Sequence, residues 1–178
     1  YKPHPRVETS KDPDVVEANA RILDLIEAAN VSIANETQQH QVLMQGDILG
    51  MFDTVDLLIT DISSVGLDFL YLHPDKPLVL TDRRGDTESL NAEAPISRAA
   101  PLINDESIGS VESLLKEMLV RDSSAEIRHE LRRHYFGDGE PGSSTVLFTE
   151  AVSRLIADRT AALQSYHTES VNAEADDE

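Results

Sequence analysis

DLLITDISSVGLDFLYLHPDKPLVLT, residues 56–81, decides the fold. Asp56 to Thr60 is a short apolar run rich in strand formers, and DISSVGLDFLYLH switches to helical spacing through Val65, Leu67, Phe69, Leu70 and Leu72. KPLVLT, from Lys76 to Thr81, reads as a second strand, with Pro77 tolerable at its entrance. A strand, a helix and a strand in so few residues require a crossover between parallel neighbours. The stretch therefore predicts an α/β domain, a Rossmann-like parallel sheet flanked by helices. Asp56 to Thr60 is expected as an interior strand and Pro77 to Leu80 as its parallel neighbour.

Working towards the N-terminus, Asp47 through Phe52 reads as a short helix and Val31 to Ala34 as a short strand. Asp12-Pro13-Asp14, followed by Val15, Val16, Ile22, Leu23, Leu25 and Ile26, is an acidic start and an apolar stripe of a surface helix ending near Asn30. Towards the C-terminus, Asp82 to Pro101 is polar and irregular and predicts a long loop over one end of the sheet. Ser110 to Val120 and Ser124 to Tyr135 read as amphipathic helices, Gly137 to Ser144 as a turn cluster, and Thr145 to Leu163 as a closing helix. That last helix is expected to turn Val146, Phe148, Val152, Leu155 and Ile156 inward. The organisation expected is one nucleotide-binding domain over residues 1–164 and an acidic, disordered tail over 165–178.

The 178 residues, 40% of them hydrophobic, suffice for one sizeable core. There is no cysteine, which excludes disulfides and thiolate metal sites. The formal net charge of −18, with lysine only at positions 2, 11, 76 and 116, argues against nucleic acid and against anionic lipid as partners. No apolar run reaches the roughly 18 residues of a membrane helix, and the N-terminus lacks the order of a signal peptide. A cytoplasmic setting is expected. The sequence starts on Tyr1 with a motif-like KPHP at its edge and no strand before it, and reads as a piece of a longer protein.

Two short motifs carry chemistry. ITDISSV, Ile59 to Val65, places the hydroxyls of Ser63 and Ser64 where a strand's carboxyl end turns into a helix. Free N–H groups and a partial positive charge at such a helix start suit phosphate. In an open parallel sheet this is also the edge where ligands bind. Asp61 or Ser63 also has the side chain of an ordinary helix cap. Asp68, on the same helix among apolar neighbours, suits a carboxylate that holds the loop more than a catalytic one.

KPHP, Lys2 to Pro5, sets a cation and an imidazole on a stiff stretch between two prolines, where His4 can donate to an oxyanion or act as an acid. Arg83, Arg84 and Arg98 lie in or beside the long loop, with guanidinium groups able to grip phosphates. The other histidines, His40, His73, His129, His134 and His167, have no metal-ligand spacing, so no protein-bound metal is expected.

KPHP, followed at a distance by a strand ending in TD-x-SS with Val65 and Asp68-Phe69 after it, resembles the CDP-glycerol glycerophosphotransferase family of teichoic-acid polymerases and primases. Lys76-Pro77-Leu78-Val79 is similar to that family's next strand. Tyr135-Phe136-Gly137-Asp138-Gly139 with Ser143-Ser144 is similar to its closing motif, so the resemblance runs from residue 1 to about 156. Ile62 stands where the family usually has an aromatic residue.

The resemblance implies the C-terminal, nucleotide-holding half of a GT-B fold, without a resident cofactor. His4 is then catalytic, and Lys2, Asp61, Ser63, Ser64, Asp68 and Arg98 bind a CDP-linked donor. A polyol-phosphate or glycan acceptor would be held by an N-terminal domain outside this chain, which would also supply any attachment to the inner face of the membrane. An HP motif paired with an SS motif also occurs in bacterial sialyltransferases and capsule polymerases that use CMP-sugars. A non-catalytic nucleotide-binding assembly module is the alternative of another class.

Overall fold

Leu78, Val79 and Leu80 are completely buried, and a strand with three successive apolar residues belongs where both faces of a sheet are covered. The computed structural model, which describes residues 1–175 with side chains through Tyr166, puts them in the middle strand of three. The strands are β1 (Leu58–Asp61), β2 (Leu78–Thr81) and β3 (Leu102–Ile103), in the order β1-β2-β3. Both pairings are parallel, with Leu58 opposite Leu78 and Leu80 opposite Leu102. Pro77 sits at the entrance of β2, where its carbonyl accepts from the Leu58 N–H at 3.1 Å.

The expectation of an α/β parallel sheet flanked by helices holds, but the first strand is an edge strand and not an interior one. It pairs with β2 alone, and one of its faces is uncovered: Leu58 and Thr60 are half-buried while Ile59 and Asp61 are exposed. A period-two pattern is what a strand with one covered face needs.

The chain divides into two compact units, Tyr1–Asp53 and Thr54–Glu178, where the sequence reading draws one domain over 1–164. In the first unit, α1 (Pro5–Thr9), α2 (Pro13–Asn30) and α3 (Ile48–Phe52) begin after polar caps. Asp12 accepts from the Asp14 N–H at 3.0 Å and Asp47 from the Leu49 N–H at 3.0 Å, satisfying donors that a helix start leaves open. Val31 to Ala34 is not a strand. The Ile33 N–H turns back to the Asn30 carbonyl at 3.0 Å, and a 3-10 turn follows at Glu36–Gln38. The extended pairing falls later, between Tyr1 and Gln41 to Leu43. Tyr1 N donates to the Gln41 carbonyl at 2.6 Å and the Leu43 N–H to the Tyr1 carbonyl at 2.9 Å, a pattern of parallel neighbours.

In the second unit the two faces of β2 meet different helices. Val79 packs with Ile103 and with Met118 of α6 (Val111–Val120), against Leu57, Leu114 and Leu115. Leu80 points to the opposite face, toward Gly66 of α4 (Ser64–Leu72). Here an added Cβ would stand 3.4 Å from Thr60 Cγ2 and from Ile96 Cδ1, so glycine lets the helix lie close on the sheet.

Asp82 to Pro101 is not the irregular loop expected. It forms α5 (Thr87–Glu93), capped by Asp86, and a 3-10 helix at Pro95–Ala99. Only Leu90, Ile96, Ala99 and Ala100 are buried apolar anchors there, too few to show a period.

α7 (Ala125–Phe136) ends at Gly137, whose φ of 72° suits glycine. α8 then runs from Ser144 to Ala175, past the expected end at Leu163. No Gly or Pro follows Gly142, so nothing in that stretch breaks the helix. Residues 176–178 of the expected tail lie outside the described residues. The inward face expected for α8 is overturned as well: Val152 is half-buried, but Val146, Phe148, Leu155 and Ile156 are exposed, Phe148 at 69%. The side chains of β2, α4, α6 and α7 already fill the core of this unit.

Candidate functional site

The chain enters α4 directly from the carboxyl end of β1. Asp61 closes the strand, the Ser63 N–H returns to the Asp61 carbonyl at 3.0 Å, and Ser63 takes the N-cap position with extended backbone. In that position a serine normally bonds the helix's own N–H groups. Ser63 makes no such cap. Neither its hydroxyl nor that of Ser64 hydrogen-bonds to any described residue. Asp61, exposed, accepts from the Thr60 hydroxyl at 3.3 Å. One turn on, Asp68 is exposed without a hydrogen bond or ion pair among the described residues, so it does not hold the loop as expected.

The far end of α4 is fixed. Arg128 of α7, completely buried, donates from Nε to the Pro74 carbonyl at 2.8 Å and pairs through both terminal nitrogens with Asp122. Arg132 donates to the Tyr71 carbonyl at 3.0 Å and to the Gly139 carbonyl at 3.2 Å, with its guanidinium over the Tyr71 ring. The Tyr71 hydroxyl donates to the Glu140 carbonyl at 3.3 Å. Cations near helix carbonyl ends are favourably placed for the helix dipole. So α7 and the turn after it anchor the C-terminal end of α4, while its N-terminal turn stays open at the sheet edge.

The loops after β2 and β3 complete that edge. Arg84 is committed, to Asp82 at 2.9 Å and to Glu93 at 3.4 Å. Asp86 caps α5, and the hydroxyl and N–H of Ser89 hold its carboxyl below the ordinary carboxylate range. Arg83 has no partner among the described residues. With Gly85, Asn104, Asp105 and Glu106 it lines a cavity of about 190 Å3. Arg98, in the 3-10 helix, is exposed and donates to the Pro95 carbonyl at 3.4 Å. Its segment is held by the Ile96 N–H, which donates to the Tyr135 hydroxyl at 3.0 Å.

Lys2 and His4 belong to the first unit, with Lys2 half-buried and His4 exposed. His4 caps α1: its Nδ1 accepts from the Arg6 N–H at 3.1 Å. With Nδ1 accepting, the ring proton sits on Nε2, which is left as a donor. Asp61, Ser63 and Ser64 are thus brought together within the second unit, with Arg83 at the loop of the neighbouring strand.

The Asn104 to Glu106 wall was not marked by the sequence. It follows a strand of two residues, too short for alternation to register. No group of acidic and histidine side chains among the described residues could hold a metal ion. No helix among them is long and apolar enough to cross a membrane. Compared with protein-family models, with curated proteins and with solved structures, the chain matches none.

Proposed function

We propose that the second unit binds the diphosphate of a cytidine-linked donor at the Ser63–Ser64 turn. In this reading the chain is the donor half of a GT-B transferase acting as a CDP-glycerol glycerophosphotransferase in cell-surface polymer synthesis. The observation that supports it most is the open start of α4. A helix N-terminus at the carboxyl edge of a parallel sheet carries two serine hydroxyls with no partner among the described residues. A diphosphate needs donors aimed at its negative oxygens, and such donors gain strength where charge grows on a leaving group. Phosphoryl transfer relies on positioning and electrostatics, which is the task such donors would perform. On this reading the acceptor is held by the other domain of the GT-B fold.

Titration of the chain with CMP, CDP and UDP tests the reading. Cytidine nucleotides are expected to bind more tightly than UDP. Ser64→Ala is expected to weaken CDP by about 1–3 kcal/mol, the range for a hydrogen bond to a charged group. Equal binding of UDP and CDP would remove the cytidine assignment, and unchanged CDP affinity in Ser63→Ala and Ser64→Ala would remove the turn.

A further inference from the structure

Between Ser144 and Tyr166 every residue of α8 is exposed except the half-buried Val152, and among the described residues no other element packs along the helix. Most helical stability comes from packing an apolar face, so a helix of 32 residues this exposed is short of a partner. Its apolar residues are not scattered. Thr145, Phe148, Val152, Leu155, Arg159 and Ala162 follow one another at alternating steps of three and four, the spacing of a seam between two supercoiled helices. Thr145, Val152 and Arg159 take the a positions of this heptad, and Phe148, Leu155 and Ala162 the d positions. Ile156 and Leu163 border the seam on the a side, at the e positions, and Ala151 and Asp158 border it on the d side, at the g positions.

Charge, pairing and area select a second copy of the same helix as the occupant. The chain carries −18, but Glu150, Arg154, Asp158 and Arg159, the charged residues from 144 to 166, are two of each sign and cancel, so two copies repel one another less here than elsewhere. Asp158 and Arg159 have no partner among the described residues. In a parallel, in-register pair a residue at a lies beside the g position of the facing helix, so each Arg159 meets the partner's Asp158, twice by symmetry. An antiparallel pair would instead gather both arginines on one side of the seam and both aspartates on the other. The exposed surface of Phe148, Leu155, Ile156 and Leu163 is roughly 500 Å2 per copy, so a pair removes about 1,000 Å2 from water, the size at which specific interfaces begin. We propose that α8 joins two copies of this chain in a parallel, two-stranded coiled coil along this seam. A single cation at a suits two strands, where its stem can reach out to water. A lipid surface fits less well, because it calls for cations on the polar face and Arg154 alone supplies one there. The seam shares no residue with the Ser63–Ser64 turn, so this inference stands apart from the donor reading.

The test is sedimentation equilibrium of the whole chain from about 1 to 300 μM, in about 0.5 M salt to screen the net charge. A reversible monomer–dimer equilibrium in the micromolar range is expected. Leu155→Gln is expected to weaken it at least about thirtyfold, since a leucine leaves the seam on both copies. Ala157→Gln puts the same side chain on the opposite face and should stay within about threefold of wild type. Arg159→Glu and Asp158→Arg should each weaken the dimer at least about fivefold, and the double variant should return to within about threefold. Circular dichroism checks that each variant keeps its helix content. Thr145→Cys reads the orientation in a chain without native cysteine: a parallel, in-register pair brings the two introduced thiols within disulfide reach under mild oxidation, and an antiparallel one does not.

A monomer at every concentration, an assembly of three or more copies, or a dimer that Leu155→Gln leaves unchanged would overturn the proposal. A dimer whose Thr145→Cys copies stay uncrosslinked would overturn the parallel order, and a double charge variant no better than the single ones would overturn the pairing of Arg159 with Asp158. A chain that is monomeric in solution but sediments with phosphatidylglycerol vesicles, and loses this in Leu155→Gln, would give the seam to a lipid surface and overturn the second copy.

Discussion

Asp122→Asn is expected to be among the most destabilising conservative substitutions in the second unit, although it changes one charge and almost no volume. Arg128 is 0% exposed and Asp122 16%, so the wild-type pair is a buried salt bridge, completed by the Pro74 carbonyl and the Ser124 N–H. The amide removes the countercharge and turns an NH2 group toward the guanidinium, leaving a buried cation with only the Pro74 carbonyl and the amide oxygen as acceptors. Removing one partner of a buried pair costs about 3–5 kcal/mol. The amide oxygen keeps one hydrogen bond, which favours the lower end, about 3 kcal/mol, or about 6–12 °C in melting temperature for a chain of this size. Urea unfolding followed by circular dichroism at neutral pH measures it.

The double variant Asp122→Asn with Arg128→Met should recover much of the loss, since it leaves no buried charge. The pH dependence has a defined sign. Burial pushes the Asp122 carboxyl up, but the Arg128 hydrogen bond, the Ser124 N–H and the guanidinium charge outweigh it and hold the group below the ordinary carboxylate range. Its contribution is therefore complete above the unfolded value, about 3.9, and is lost as pH falls through the lower folded value. In Asp122→Asn that part of the acid sensitivity should be gone. A cost under about 1 kcal/mol, or an unchanged acid profile, would refute the reasoning.

Tyr135→Phe should cost about 1–3 kcal/mol, because Ile96 is buried and its N–H would lose its acceptor. Thermal melts measure this, and a loss of less than about 0.5 kcal/mol would mean that water replaces the hydroxyl. Gly66→Ala should stay within about 1 kcal/mol of wild type, since alanine's better helix propensity offsets contacts at 3.4 Å to Thr60 and Ile96. Gly66→Val, with two further methyl groups against Thr60, Ile96 and Leu80, should destabilise by about 1–3 kcal/mol, and equal stability of the two variants would show that α4 does not lie as close to the sheet as described.

The parts of the fold legible in the sequence are those where a single period governs several residues in succession. Lys76 to Thr81 reads as a strand because it is a short apolar run entered at Pro77, although the sequence reading put the interior place at Asp56 to Thr60, and Asp12-Pro13 reads as a helix start because both residues belong there. α5 and β3 were not legible, since each turns on one or two buried residues whose partners lie elsewhere in the chain. The error on α8 has another origin. The sequence reading turns Val146, Phe148, Val152, Leu155 and Ile156 inward, but Val146 and Phe148 stand about 200° apart on a helix, and spacing carries no information on whether an apolar counterpart exists.

The candidate site divides along a similar line, between polar groups that the fold uses and polar groups that it leaves. The sequence shows Asp61, Ser63, Ser64, Arg83 and Arg84 as equivalent polar residues near a strand end. In the structure Arg84 and Asp86 are spent on the loop, His4 Nδ1 on α1, and Arg128 and Arg132 on the far end of α4. Ser63, Ser64 and Arg83 remain. A side chain already bonded within the chain must break that bond to meet a ligand, whereas one without a partner gives up only its contact with water. On the proposed reading that difference favours the loop ends of the sheet for ligand contact, and it separates Arg83 from Arg84 although they are adjacent in the sequence.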